Sequence, residues 1–150
     1  MAIGASRRTL DQLLDEARAR IDRLEPGAAL AAATRGAVII DIRSAGDRER
    51  DGIIPGSLHI PRTVLEWRLD PDSAWRNPYF SGFDRQIVLV CDHGCSSIIA
   101  AATLVDLGFT DVSDVIGGFA AWEEAAMPTT QHAGDTLGPD EPAGMRPPDP

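Results

Sequence analysis

The sequence predicts an α/β domain with a mainly parallel central sheet that is flanked by helices. Two observations carry this prediction. Short apolar runs alternate with helical patterns, and the runs at residues 37–42 and 87–90 are almost wholly apolar, without the alternation of a half-exposed strand. Such runs are typical of parallel strands buried on both faces, and the intervening helices provide the crossover connections. At 150 residues, the chain can bury such a core as one domain.

The N-terminal part of the chain, residues 1–36, is predicted to be a helical segment of this domain. Thr9 is followed three residues later by a glutamine, which matches a capping box, and apolar residues then recur at helical spacing up to Leu24. Pro26 suits the first turn of a second helix, which is expected to end near Gly36.

Residues 37–128 carry the alternation of strands and helices. The predicted strands cover residues 37–42, 57–60, 87–90 and 112–116, and the predicted helices start after Ser44, cover residues 96–107 and start after Gly117–Gly118. Ligands of such sheets bind beyond the carboxyl ends of the strands, where Cys91 and Asp41 both fall. Residues 129–150 are rich in proline and glycine and have almost no large apolar side chain, so they are predicted to be a disordered tail.

The composition argues against several classes of function. The formal net charge is −9 and no basic stripe is present, which argues against nucleic acid binding. No stretch is apolar enough for a membrane span or a signal peptide. Cys91 and Cys95 are the two cysteines and make no disulfide framework, so a cytoplasmic protein with reduced thiols is expected. They also form no ligand set with the scattered histidines, and neither a metal nor an organic cofactor is expected.

The segment around Cys91 has the most chemical content. The apolar run Ile87–Val90 ends in this cysteine, five small or polar residues follow, and a long apolar helical pattern begins. The thiol is therefore predicted to lie at the carboxyl end of a buried strand, facing backbone amides at a helix start. Such amides favour an anion and lower the pKa of a thiol. The sequence predicts nucleophilic chemistry at Cys91.

Several segments in order resemble the motifs of one family. They are Val38–Arg43, Gly52–Pro61, Val90–Ser97, Ile116–Phe119 with Trp122, and Met127–Pro128. They are similar to an Asp-Val-Arg strand end, a Gly-His-Ile-Pro-Gly-Ala turn with its Asn-Ile-Pro strand, a Cys-x-x-Gly-x-Arg-Ser loop, and a closing Gly-Gly, Trp and Gly-Leu-Pro signature. Together they resemble the rhodanese-like domain, a sulfurtransferase fold. This resemblance implies a three-layer domain whose core is residues 37–128.

The resemblance also implies an activity and a set of site residues. Cys91 would be the nucleophile that accepts sulfane sulfur from a small donor as a persulfide and passes it to a thiol acceptor, without a cofactor. The substrate would be cradled by the loop residues Asp92, His93, Gly94, Cys95, Ser96 and Ser97. Cys95 is open to two interpretations, a resolving thiol or a pocket wall, and the wall is favoured. For His93, a hydrogen-bonding role and a solvated side chain are equally expected.

Departures from the family pattern affect the choice of donor. Ser96 stands where many active members have arginine, and Asp92 adds a negative charge, so thiosulfate is expected to be a poor donor. Arg62 could supply the missing cation, although a solvated arginine is favoured. Asp41 and Arg43 are expected either to support the site from behind or to form a structural ion pair.

Two other functions remain open. A non-catalytic binding or sulfur-carrier module is compatible with the missing arginine. Phosphatase or arsenate-reductase chemistry would need a longer loop closed by an arginine, and Ser97 occupies that later position.

Overall fold

The computed structural model describes residues 6–131, which form a parallel sheet between two layers of helices. The strands are β1 (Asp22–Leu24), β2 (Val38–Asp41), β3 (Leu58–His59), β4 (Ile87–Val90) and β5 (Val112–Val115). The helices are α1 (Leu10–Arg18), α2 (Pro26–Thr34), α3 (Ala45–Asp51), α4 (Leu65–Leu69), α5 (Ser96–Leu107) and α6 (Gly118–Glu124), with a 3-10 turn at Arg62–Val64 before α4. Among these residues, no helix is both long and apolar enough to cross a lipid bilayer.

The sheet has the strand order β1-β5-β4-β2-β3, and every neighbouring pair is parallel. Central strand β4 alternates its buried side chains between two cores. Leu89 packs with α4 and α5 on one face, whereas Val88 packs with Phe119 and Trp122 of α6 on the other. The predicted three-layer α/β arrangement is therefore confirmed, and the carboxyl end of β4 opens between its neighbours β2 and β5.

Helix α5 is almost wholly apolar because it is covered on two sides. One side lies on the sheet, where Ala101 and Leu104 join the larger core, and the other packs Ile98 and Ala102 against Ala17 of α1. Gly108 ends the helix in the left-handed conformation at φ +118°, as the sequence predicts.

The predicted helical character of residues 1–36 is wrong in one place. The capping box at Thr9 is present, but α1 already ends at Arg18, and Asp22–Leu24 forms the edge strand β1 instead of a helix end. This strand pairs with β5, and the amide of Ile116 donates to the carbonyl of Leu24 at 2.8 Å. Three residues are too few to show a strand period, and their hydrogen bonds come from a partner about 90 residues away in the chain.

The ordered chain continues past the predicted boundary at residue 128. Thr130 pairs with Ile53, with N···O distances of 2.8 and 2.9 Å, and Trp122 donates from Nε1 to the carbonyl of Pro128 at 2.8 Å. Thr129–Gln131 are therefore part of the fold. The rest of the predicted tail, residues 132–150, lies outside the described residues.

Two truncations should distinguish what residues 129–131 and residues 132–150 contribute to the stability of the protein. Deleting residues 132–150 should leave the free energy of unfolding nearly unchanged, because their composition provides few apolar groups to bury. Deleting residues 129–150 should lower it by about 1–2 kcal/mol, because the two hydrogen bonds to Ile53 are lost. Urea denaturation of both proteins measures the difference, and equal stabilities would mean that the pairing of Thr130 with Ile53 contributes nothing.

Candidate active site

The thiol of Cys91 lies at the carboxyl end of β4, where the sequence predicts it. The residue is 5% exposed. The amide of Gly94 donates to Sγ at 3.1 Å, and Oγ of Ser97 lies 3.3 Å from the same sulfur. The loop Asp92–Cys95 therefore curls back over the sulfur, and α5 begins at Ser96 directly behind it.

Opposing effects set the pKa of this thiol. Burial raises it, because a charged sulfur loses water. Hydrogen bonds from the hydroxyl and the amide of Ser97, the hydroxyl of Ser96 and the amide of Gly94 stabilise the thiolate, and the net result is a pKa below the ordinary value. Two serine hydroxyls thus act beside the amides, which reasoning from the loop backbone alone did not anticipate.

The turn Gly117–Gly118 fixes the shape of the Cys91 loop. A Cβ atom on Gly94 would lie 2.6 Å from the nitrogen of Gly117, and one on Gly118 would lie 2.4 Å from the carbonyl oxygen of Cys91. Phe119 donates its amide to that carbonyl at 2.8 Å. Glycine is therefore required on both sides of this contact, because two backbone segments touch where any side chain would stand.

A polar network connects the loop to the far edge of the sheet. Ser97 Oγ donates to Oδ2 of Asp114 at 2.7 Å, and the carboxylate of Asp114 is fully buried in β5. Arg23 of β1 donates from Nε to Oδ1 of Asp114 at 2.8 Å and from Nη2 to Oδ2 at 3.1 Å. The same Nη2 donates to the carbonyl of Gly94 at 3.0 Å.

Sequence reasoning missed both Arg23 and Asp114. An aspartate inside the short predicted strand that runs from Val112 was an available signal, because a buried carboxylate needs a partner. Arg23 gave no such signal, since β1 was expected to be helical.

Asp41 and Arg43 form a buried ion pair with a structural role. Arg43 Nη2 lies 2.8 Å from Asp41 Oδ2 and also donates to the carbonyl of Gly52 at 2.7 Å, while Arg48 Nε donates to Asp41 Oδ2 at 3.2 Å. The pair thereby joins the end of β2 to α3. The guanidinium carbon of Arg43 also lies 3.8 Å from the ring centroid of Phe119, the residue that holds the Cys91 carbonyl.

The remaining loop side chains face the outside. His93 and Cys95 are exposed, and Asp92 is half-buried. Burial raises the pKa of the Asp92 carboxyl, and the charge of Asp47 and a hydrogen bond with it raise the pKa further. Two carboxyl groups thus meet beside the mouth of the site.

Arg62 is engaged elsewhere. Its Nη1 lies 2.8 and 3.0 Å from the two carboxylate oxygens of Glu66, one helical turn away. Among the described residues, the hydrogen bonds of Arg62 do not connect it to the Cys91 loop.

Comparison with known proteins gives a consistent result. The chain matches the family model of the rhodanese-like domain over residues 25–125. A thiosulfate sulfurtransferase GlpE from Pseudomonas savastanoi is 40% identical over 100 residues, which cover 67% of this chain and 85% of that protein. A protein of the same name from Pseudoalteromonas translucida is 38% identical over 89 residues, which cover 59% of this chain and 74% of that protein.

Solved structures of similar fold include the following two. A protein of unknown function from Rhodopseudomonas palustris, described as a possible tyrosine phosphatase, has a TM-score of 0.76 and 36% identity, with 87% of this chain and 100% of that chain covered. The human single-domain sulfurtransferase TSTD1 has a TM-score of 0.57 and 26% identity, with coverage of 70% and 96%.

The hydrogen bonds to sulfur predict the pH dependence of alkylation. In a Cys95→Ser variant, the rate at which iodoacetamide modifies Cys91 should reach half its maximum below about pH 8.5, the midpoint of a free thiol, because the lowered pKa keeps the thiolate present at lower pH. Ser97→Ala should move this midpoint upward. Ser113→Ala is the control, because it removes a different buried hydroxyl, on β5, and should leave the midpoint unchanged. Equal midpoints for these two variants would contradict the role of Ser97.

Proposed function

The chain belongs to the rhodanese-like domain family, and we propose that it is a sulfurtransferase that carries sulfur as a persulfide on Cys91. The observation that carries the proposal is the thiol at the end of β4, buried yet held by donors that lower its pKa. A thiolate is the nucleophilic form of cysteine, and a site that stabilises it prepares the residue for attack.

The transfer proceeds in two displacements at sulfur. The Cys91 thiolate attacks the sulfane sulfur of a small donor, a new S–S bond forms, and the bond between that sulfur and the rest of the donor breaks. The electron pair leaves with the donor remnant, which is sulfite when the donor is thiosulfate. A thiolate acceptor then attacks the outer sulfur of the persulfide, takes it, and releases the Cys91 thiolate.

The loop stabilises the charge that these steps place on sulfur. Gly94 and the serines that stabilise the thiolate are already oriented around Sγ before any substrate arrives. Oriented donors of this kind cost little reorganisation during the reaction, which is the usual basis of electrostatic catalysis.

The thiols suit a reducing compartment. Cys91 and Cys95 are both free, and Cys95 is exposed. These thiols support our proposal that the protein works in the cytoplasm with a cellular thiol as the acceptor, which cyanide can replace in an assay.

A phosphatase is the second candidate, because the Rhodopseudomonas palustris relative is described as a possible tyrosine phosphatase. Phosphate monoesters are dianions, and binding them in a loop of this kind calls for an arginine that closes around the oxygens. Residues 92–97 contain no arginine, and the hydroxyl of Ser97 bonds with Asp114. Sulfur transfer is therefore the better supported function.

Persulfide formation tests the proposal directly. Incubation with a sulfane-sulfur donor should add about 32 Da at Cys91, the mass of one sulfur, and cyanide should remove it. Cys91→Ser should abolish the addition, whereas Cys95→Ser, the matched control, should retain it. Intact mass and peptide mapping give the result, and label on Cys95 or on the Cys91→Ser protein would refute the assignment. A persulfide that no acceptor removes would indicate a carrier, and hydrolysis of p-nitrophenyl phosphate without persulfide would indicate a phosphatase.

The charges beside the mouth of the Cys91 site should influence which sulfur donor the protein prefers. Asp92→Asn should lower the KM for thiosulfate about 2- to 5-fold with little change in kcat, because a half-exposed carboxylate repels a dianion modestly through water. Ser96→Arg should act in the same direction. Asp106→Asn removes an equal charge from the far end of α5 and is the control. If the KM is unchanged in both loop variants, the loop charges do not control the choice of donor.

A further inference from the structure

Arg23 of the edge strand β1 contacts the Cys91 loop without belonging to it. Its guanidinium is held by three hydrogen bonds, two to the carboxylate of Asp114 and one to the carbonyl of Gly94. Gly94 is also the residue whose amide donates to the sulfur. The side chain of Arg23 is 23% exposed, so the surrounding protein limits how far it can move.

We propose that Arg23 is the positioning residue of the Cys91 loop, and that it supplies the fixed positive charge that the loop sequence lacks. This inference rests on the proposed sulfur transfer and adds a role for a residue that lies just before the segment matching the family model, residues 25–125.

The positioning acts from two sides of the loop. Directly, Arg23 holds the Gly94 carbonyl and thereby fixes the peptide that follows the sulfur-binding amide. Indirectly, it holds Asp114, which accepts the hydroxyl of Ser97, and that hydroxyl lies 3.3 Å from Sγ of Cys91. A displacement of Arg23 therefore moves two of the donors around the sulfur.

Arg23 also keeps Asp114 paired in both protonation states of the thiol. In the thiol form, Cys91 Sγ donates to Ser97 Oγ at 3.3 Å, and Ser97 donates its one hydroxyl proton to Asp114 Oδ2 at 2.7 Å. When Cys91 is ionised and Ser97 turns its proton to the sulfur, the carboxylate still keeps both bonds from Arg23. Without them, a fully buried carboxylate would be left uncompensated.

The charge of Arg23 acts on the thiol as well. The pKa of Arg23 is raised, first by its hydrogen bonds with Asp114 and, against the effect of desolvation, also by the charges of Asp114, Cys91 and Cys95. Such an interaction is reciprocal, so the guanidinium favours the Cys91 thiolate. The other charged or titratable groups around the loop are Asp92 with its neighbour Asp47, His93, Cys95 and Arg43.

The test compares two arginines that each pair with one aspartate. In a Cys95→Ser background, Arg23→Gln should slow alkylation of Cys91 at pH 7 about 3- to 10-fold and shift its pH midpoint upward, because a nearby positive charge is lost. Arg20→Gln, which breaks the exposed pair with Asp106, is the matched control and should leave both unchanged. Arg23→Lys should bring the midpoint most of the way back to the wild-type value, since the charge is kept. It should recover less of the rate of persulfide formation, since the several N–H donors of the guanidinium are lost.

A double variant keeps the test valid if Arg23→Gln fails to fold. Arg23→Gln with Asp114→Asn leaves no unpaired buried charge, and the two lost charges oppose each other at the thiol. The proposal predicts a smaller upward shift of the midpoint here, because the donors of Gly94 and Ser97 around the sulfur are no longer held in place. A wild-type midpoint in the double variant, or in a folded Arg23→Gln protein, would show that the pair is only structural and would overturn the inference. Alkylation needs no sulfur transfer. A wild-type protein that forms no persulfide would therefore refute the proposed function, while the alkylation midpoints would still test the role of Arg23.

Discussion

The carbonyl of Cys91 is held by the amide of Phe119, and the geometry of the site depends on this hydrogen bond. It brings the end of β4 against the Gly117–Gly118 turn after β5, where the backbones touch without room for a side chain. With the carbonyl fixed on that side, the following loop turns the other way, and the amide of Gly94 points at the sulfur. The two closing glycines and the loop glycine are thus parts of one contact.

The same loop allows the Cys91 thiol to be both buried and ionised. A thiol that is 5% exposed would resist ionisation, since a buried anion loses most of its hydration. Amides and hydroxyls of the loop and of the first turn of α5 replace the lost water. Shielding from solvent and activation for attack are therefore compatible at Cys91, although the loop lacks an arginine of its own.

What the sequence could predict depended on how local the relevant interactions are. The strand before Cys91, the helix after it and the pairing of Asp41 with Arg43 depend on neighbours in the chain, and they were predicted. The edge strand at Asp22–Leu24, the partner of Thr130 and the contact of Arg23 with Asp114 depend on residues far apart in sequence, which leave no periodic signal. Arg62, for which a solvated side chain was favoured over a role in recognition, pairs with Glu66 one helical turn away.

The position of Arg23 links the chemistry of the site to a short strand at one edge of the sheet. Strand β1 has three residues and lies at the sheet edge, paired with β5 alone. Short edge strands open by local fluctuation more readily than central strands, well below the free energy of global unfolding. Each such opening would withdraw the guanidinium from the loop while β4 and its thiol stay in place. The reactivity of Cys91 would then follow the fraying of the edge, and a ligand or neighbouring chain that adds to this strand would change sulfur chemistry without touching the sulfur.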